Sequence, residues 1–295
     1  MTEHCQRCQI PEGLYLFQDY YPVSADFMQA LSPRERTQVT QVKLDPDKQC
    51  QYCRLYQRHY DAEALRQERA DWIQATRHTP VVLALSGGKD SLTALYLLKT
   101  LLKLDVRCLL YQNGFIPTQV IAQAQRICDD LDTPLRVVSR SLRQAFNQEY
   151  PLKNGERVAQ TGLDFCQLCA RQLGHFLGPY LKEQNSQWVF MGNKNYARLS
   201  PSVSALKQHH HQGFRYYSIN LLYALEISVT QQQEILKLMQ WQDPQLAGYT
   251  SNCRVPGLVE SARFKKLGVA SDRGYVEAEL RSGAYTREDV QHLLD

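Results

Sequence analysis

Two sets of residues in this chain are placed to do chemistry. The first is the string Ser86-Gly87-Gly88-Lys89-Asp90-Ser91. Adjacent glycines allow a tight turn and a close approach of the backbone to an anion. Amide N–H groups at the start of a following helix then point at the anion, and the helix dipole favours negative charge there. Lys89 adds a cation, and Ser86 and Ser91 offer hydroxyl donors. Asp90 is suited to holding Mg²⁺ or to capping the helix. A plain turn with a helix cap is the alternative, which two glycines alone would favour. The spacing differs from the Walker pattern, which needs four residues between its glycines.

The second set is cysteine, of which the chain has nine. Cys5 with Cys8, and Cys50 with Cys53, form two CxxC pairs. Four thiolates from two such pairs make a closed, tetrahedral Zn²⁺ site, with the chain from Glu12 to Lys48 looping out between them. Four free thiols are the alternative, which a polar segment with little core of its own disfavours. A third pair, Cys166 and Cys169, precedes a predicted helix, and Cys253 stands alone further on. These three can hold an iron–sulfur cluster, carry persulfide at a helix N-terminus, where a thiol's pKa falls, bind a second zinc, or be structural. Cys108 and Cys128 read as core residues.

The elements around these residues follow from hydrophobic pattern. Val81–Leu85 is a short apolar run, as expected of a strand buried on both faces. A helix is predicted over 91–104, a strand over 106–111, a helix over 118–131 and a strand over 135–138. A helix from about Cys169 to Leu181 leads to a fourth strand, 188–192. Strands alternating with helices imply a doubly wound parallel sheet, with ligands at the carboxyl ends of its strands. The tail reads as helices over 230–240, 274–282 and 287–294, the last capped by Thr286 with Asp289 three residues on. His209-His210-His211 reads as a solvated polar loop, and Tyr216 and Tyr217 as core residues rather than base-stacking ones.

The string 86–91 resembles the SGGxDS signature of the PP-loop ATP pyrophosphatase superfamily, over a span from about Pro80 to Cys253. The resemblance implies a parallel five-stranded α/β sheet (adenine nucleotide alpha-hydrolase-like) and cleavage of ATP between its α and β phosphates. AMP goes to a substrate oxygen, and a nitrogen or sulfur nucleophile then displaces it. It implies that residues 86–91 hold the pyrophosphate and that Leu83, Ala84 and Leu85 border the nucleotide. Tyr111-Gln112-Asn113-Gly114-Phe115 would lie near adenine and ribose, while Gly192, Asn193 and Lys194 approach the α-phosphate. Lys89, Asp90, Cys166, Cys169 and Cys253 are the candidate catalytic groups. A loop followed by CxxC and a lone cysteine is similar to the tRNA 2-thiolation enzymes, in which three such cysteines hold a [4Fe–4S] cluster. Those enzymes have Gly-His-Asn and two aspartates where this chain has Gly192-Asn193-Lys194-Asn195-Tyr196-Ala197. The tail Arg281–Asp289 is similar to that of N-acetyl sugar amidotransferases, which draw ammonia from a partner glutaminase.

Four segments result: a zinc-binding module (1–60), a helical connector (61–79), a PP-loop domain (80–255) and a helical tail (256–295). The expected cofactors are ATP, Mg²⁺, Zn²⁺ and, for sulfur transfer, a [4Fe–4S] cluster. The substrate is a small molecule or tRNA, with a sulfur donor, a glutaminase or a second copy of the chain as partner. At 43% apolar and 22% charged residues the composition is globular. A net charge of +4 permits anionic partners and demands none. No apolar run is long enough to span a membrane, and no signal peptide is evident, so a cytoplasmic enzyme is expected. A non-enzymatic nucleotide-binding module is disfavoured by the intact Lys89 and Asp90.

Overall fold

The computed structural model describes residues 3–13, 42–149, 152–153, 156–157, 162–193, 204–211, 213–246, 250–257, 272–283 and 285–294. Among the described residues the first helices are α1 (Gln51–His59) and α2 (Ala62–Thr76), the latter started by Asp61, whose carboxylate accepts the Ala64 N–H at 2.9 Å. Strand β1 (Val81–Leu85) leads to α3 (Lys89–Tyr96), which continues as a π turn over Leu97–Leu101. Then follow β2 (Val106–Gln112), α4 (Thr118–Asp130), β3 (Leu135–Ser139) and α5 (Leu142–Glu149). Helix α6 (Gly162–Glu183), β4 (Trp188–Met191), β5 (Leu206–His211) and β6 (Phe214–Asn220) come next. The short α7 (Leu221–Ala224), α8 (Val229–Leu238), α9 (Asp272–Ser282) and α10 (Arg287–Leu294) complete the order. A two-residue ladder pairs Leu152–Lys153 with Glu156–Arg157.

The sheet order is β3-β2-β1-β4-β6-β5. Five strands run parallel, and only the edge strand β5 is antiparallel, to β6. Strand alternation splits the apolar residues between two faces. Val81, Leu83 and Leu85 join a large cluster with Trp72 of α2, Leu92 and Leu95 of α3, and Val120 and Ile127 of α4. Val82, Leu109 and Val189 face Leu177, Tyr180 and Leu181 of α6. Each fully buried aliphatic side chain contributes about 1.5–3 kcal/mol, so both faces must be covered.

Three expectations are corrected. The helix expected from about Cys169 begins at Gly162, so Cys166 and Cys169 lie inside it. Residues 163–173 contain neither Gly nor Pro, and nothing stops the helix from extending back. His209-His210-His211 is strand β5 rather than a loop: its backbone pairs with β6, His209 stacks on Tyr216 at 4.9 Å, and its Nε2 lies 2.7 Å from Ser218 Oγ. An edge strand tolerates polar residues because one margin meets water. The helix after the loop starts at Lys89 and leaves regular α geometry at Leu97, short of the expected Leu104.

Candidate functional site

Loops from three neighbouring strands meet at the carboxyl edge of the sheet. The loop after β1 is Ser86–Gly88. Gly87 takes φ +79, and a Cβ there would fall 2.7 Å from Val120 Cγ1, so the turn requires glycine. The hydroxyls of Ser86 and Ser91 lie 3.0 Å apart, Ser91 Oγ donates to the Gly88 carbonyl at 3.0 Å, and Ser91 Oγ accepts the Ser86 N–H at 3.2 Å. The two hydroxyls read as phosphate donors thus also brace the loop. Gly88 is the N-cap of α3 and supplies no side-chain cap. The first helical N–H, that of Lys89, instead donates to Ser251 Oγ at 2.9 Å.

Lys89 Nζ lies 2.8 Å from Asp90 Oδ1, and Gln232 Nε2 of α8 donates to the same oxygen at 2.8 Å. Burial pulls the Lys89 pKa down, but Asp90, Tyr285 and Glu279 outweigh it and leave it raised. The ammonium therefore stays charged at any working pH. Behind the helix start, Gly192 lets β4 come close. A Cβ there would fall 2.5 Å from both the carbonyl carbon of Asp90 and the amide of Ser91. Gly192→Ala is expected to cost about 1–3 kcal/mol by pushing α3 off its seat. Urea denaturation checks this, and an unchanged midpoint would contradict the packing.

Beside the loop is a cavity of about 330 Å³. Ala84, Leu85, Ser86, Asn113, Cys169 and Cys253 are among its lining. Asn113, after β2, is the hub. It is buried, and its Nδ2 donates to Cys169 Sγ at 3.4 Å and to Cys253 Sγ at 3.6 Å. Its Oδ1 accepts the Phe115 N–H at 2.8 Å and its carbonyl the Leu142 N–H at 3.0 Å, which fixes the amide's direction. Burial, against the Asn113 hydrogen bond, raises the Cys169 pKa, with Cys253 adding to the rise. The lowered value expected of a thiol at a helix N-terminus is therefore not found for Cys169, which sits in the helix body.

Not every expected residue lines this cavity. Leu83 alternates to the opposite face and is fully buried in the large cluster. Gly114 takes φ +89 in the turn after β2, its N–H donating to Gln112 Oε1 at 3.0 Å. Asn193 turns toward β6, donating from Nδ2 to Asn220 Oδ1 at 3.0 Å. Lys194 and the side chain of Cys166 lie outside the described residues. Gln232, Ser251, Glu279 and Tyr285 are additions that sequence reasoning did not single out. Ser251 had one signal, its position two residues before Cys253. Gln232 had none beyond lying on a polar helix.

A separate cluster forms at the N-terminus. Cys5, Cys8, Cys50 and Cys53 are all buried, and their sulfurs lie within 4.8 Å of one another. The distances Cys5–Cys53 and Cys8–Cys50 are 3.7 and 3.6 Å. A tetrahedron with metal–sulfur bonds of about 2.3 Å has sulfur–sulfur edges of about 3.8 Å. The donor set therefore fits one tetrahedral metal ion. Hydrogen bonds from Cys50, Cys53 and Cys8 pull the Cys5 pKa down, while burial pushes Cys8 up. The Cys50 N–H donates to Cys5 Sγ at 3.3 Å, and the Gln6 N–H to the Lys48 carbonyl at 3.0 Å, joining the two pairs. Arg281 of α9, also buried, donates to Cys8 Sγ at 3.6 Å, and its carbonyl accepts Arg7 at 2.9 and 3.1 Å. A guanidinium against the thiolates offsets their excess negative charge and orients a ligand.

The fold and loop define a parallel α/β protein with a glycine turn and a helix start at the carboxyl edge of its sheet. In both respects it resembles the PP-loop ATP pyrophosphatase superfamily. No protein-family model matches the chain. It is 26% identical over 214 residues to the uncharacterized protein MJ1599 of Methanocaldococcus jannaschii, covering 72% of each. Among solved structures it is similar to an NH3-dependent NAD synthetase from Campylobacter jejuni, with 26% identity and a TM-score of 0.34. That match spans 46% of this chain and 58% of the synthetase chain. It is similar to an NMN synthetase from Francisella tularensis, with 14% identity, 80% and 97% coverage and a TM-score of 0.43. It is also similar to the U34-tRNA thiolase NcsA from Methanococcus maripaludis with its [4Fe-4S] cluster, with 13% identity, 100% and 89% coverage and a TM-score of 0.38. Among the described residues, no helix is long and apolar enough to cross a membrane.

Proposed function

We propose that the protein binds ATP with its pyrophosphate over Ser86–Ser91, adenylates a substrate oxygen, and passes the activated carbon to sulfur. In the first step the substrate oxygen attacks the α-phosphorus, the bond to the bridging oxygen breaks, and pyrophosphate leaves. In the second, sulfur attacks the activated carbon and AMP departs with the oxygen. One observation carries this reading: the cavity that reaches Ser86 of the loop also holds Cys169 and Cys253, drawn together by Asn113.

Lys89 and the first amides of α3 stabilise negative charge as pyrophosphate leaves. Asp90, steadied by Gln232, is the hard oxygen donor that would hold Mg²⁺ against the phosphates. Cys5, Cys8, Cys50 and Cys53 would hold structural Zn²⁺. Cys166, Cys169 and Cys253 would hold a [4Fe–4S] cluster, which supplies a binding site for sulfide when bound. The chain's own part is to gather the thiols through Asn113 and to screen the cavity with Leu142 and Leu173.

A second reading is an amidotransferase or ligase supplied with ammonia by a glutaminase. The raised pKa of Cys169 favours it, because a buried, protonated thiol is a poor nucleophile. Anaerobic purification separates the two. Charge-transfer absorbance that disappears in Cys253→Ala supports sulfur transfer, and a colourless protein containing only zinc excludes the cluster. Release of phosphate instead of pyrophosphate would overturn adenylation in either reading.

Gln232→Leu removes a hydrogen bond to a charged group, an interaction of about 1.5–3 kcal/mol. The Mg²⁺ concentration for half-maximal pyrophosphate release is expected to rise about tenfold or more, with the melting temperature little changed. An unaltered Mg²⁺ response would remove Gln232 from the site.

A further inference from the structure

The segment 250–254 touches the loop at one end and the sulfurs at the other. Ser251 Oγ accepts the Lys89 N–H at 2.9 Å. A Cβ on Gly88 would fall 3.0 Å from that oxygen and 3.1 Å from Asn252 Cβ, so the segment lies directly on the glycine turn. Two residues on, Cys253 Sγ receives Asn113 Nδ2 at 3.6 Å, and the Arg254 N–H donates to the Phe115 carbonyl at 3.2 Å. Within the segment, Thr250 Oγ1 donates to Asn252 Oδ1 at 2.6 Å and accepts the Asn252 N–H at 3.4 Å, which ties Ser251 to its neighbours.

We propose that Ser251 is a placeholder for a phosphate oxygen, and that an anion on the loop displaces it and with it the Cys253 contact to Asn113. This rests on the reading of Ser86–Ser91 as a nucleotide site. The Lys89 N–H is the first helical amide of α3, the kind of donor that anions take. One N–H cannot serve the Ser251 hydroxyl and a phosphate oxygen with good geometry at once. The charged acceptor makes a bond roughly twice as strong as a neutral one, so phosphate wins. Because 250–252 is braced internally, the displaced Ser251 takes the segment with it. Occupancy of the phosphate loop is thereby reported to the thiol that lines the same cavity, and Cys253 Sγ is freed from Asn113, and so open to another partner, only when nucleotide is present.

The test uses the full chain with inorganic pyrophosphate and ATP as probes, following binding by calorimetry and amide hydrogen exchange by mass spectrometry. On binding, exchange over residues 86–91 should slow, while exchange over 251–255 should rise about tenfold, the loss of roughly one hydrogen bond. Ser251→Ala should bind pyrophosphate a few-fold more tightly and show the faster 251–255 exchange without ligand. Ser251→Thr, which keeps the hydroxyl, should restore the ligand response. Binding with unchanged exchange over 251–255 overturns the proposal alone, as does weaker pyrophosphate binding by Ser251→Ala, which would make Ser251 a ligand and not a placeholder. Absence of binding by either probe overturns the nucleotide site itself.

Discussion

Replacing Lys89 with alanine is expected to slow pyrophosphate release by about 10²–10³-fold, the usual cost of removing one preorganised charge donor from a site where negative charge develops. Lys89 stands at the first position of α3, and its ammonium reaches the same carboxylate oxygen that Gln232 holds. Its fold contribution is small by comparison. Its side chain is 28% exposed, and its ion pair is with the neighbouring residue, a kind of pair worth about 0–1 kcal/mol. A large loss of rate with little loss of melting temperature is thus the expected signature. Lys89→Arg keeps the charge in a bulkier, planar group and should recover only part of the rate. Full activity in Lys89→Ala would remove the cation from the mechanism.

The second large effect concerns the four buried thiols of the N-terminal cluster. Cys50→Ser, or chelation of the protein, is expected to release one equivalent of zinc and unfold the segments around residues 3–13 and 42–60. Structural zinc contributes on the order of 10 kcal/mol to small domains, comparable with the whole stability of many. The damage should spread, because α1 follows Cys50 directly and carries Tyr56 into the same core cluster as Trp72. Metal analysis with limited proteolysis reads the outcome. A Cys50→Ser protein that keeps its zinc and its protease resistance would show that these thiols hold no metal.

Much of the fold could be read from the sequence because strong local signals coincided. The apolar run Val81–Leu85, the glycine turn and the periodic helix after it agree with one another, and that agreement points to the carboxyl edge of the sheet as the candidate site. The Cys-x-x-Cys spacing likewise anticipated four sulfurs in one place, since two short turns are all the local geometry requires. What stayed hidden depended on residues far apart in the chain. Asn113 joins Cys169 and Cys253, which lie 56 and 140 positions away, and no local pattern encodes that triangle. Ser251 and Gln232 reach the loop from 162 and 142 positions away by tertiary packing alone. The histidine run misled for a related reason: backbone pairing with β6, and not side-chain polarity, decides that an edge segment is a strand.

The clasp between Arg7 and Arg281 also bears on the order of folding. The two residues are separated by 274 positions, so the contact closes a loop of nearly the whole chain. Loop closure on that scale is entropically costly and comes late. The cysteine cluster leaves the ribosome well before the guanidinium that shields Cys8, which follows Cys8 by 273 positions. A metal held by these thiols would therefore be captured during synthesis without their eventual counter-charge. Newly made chains should for that interval be more open to chelators and oxidants than the finished protein.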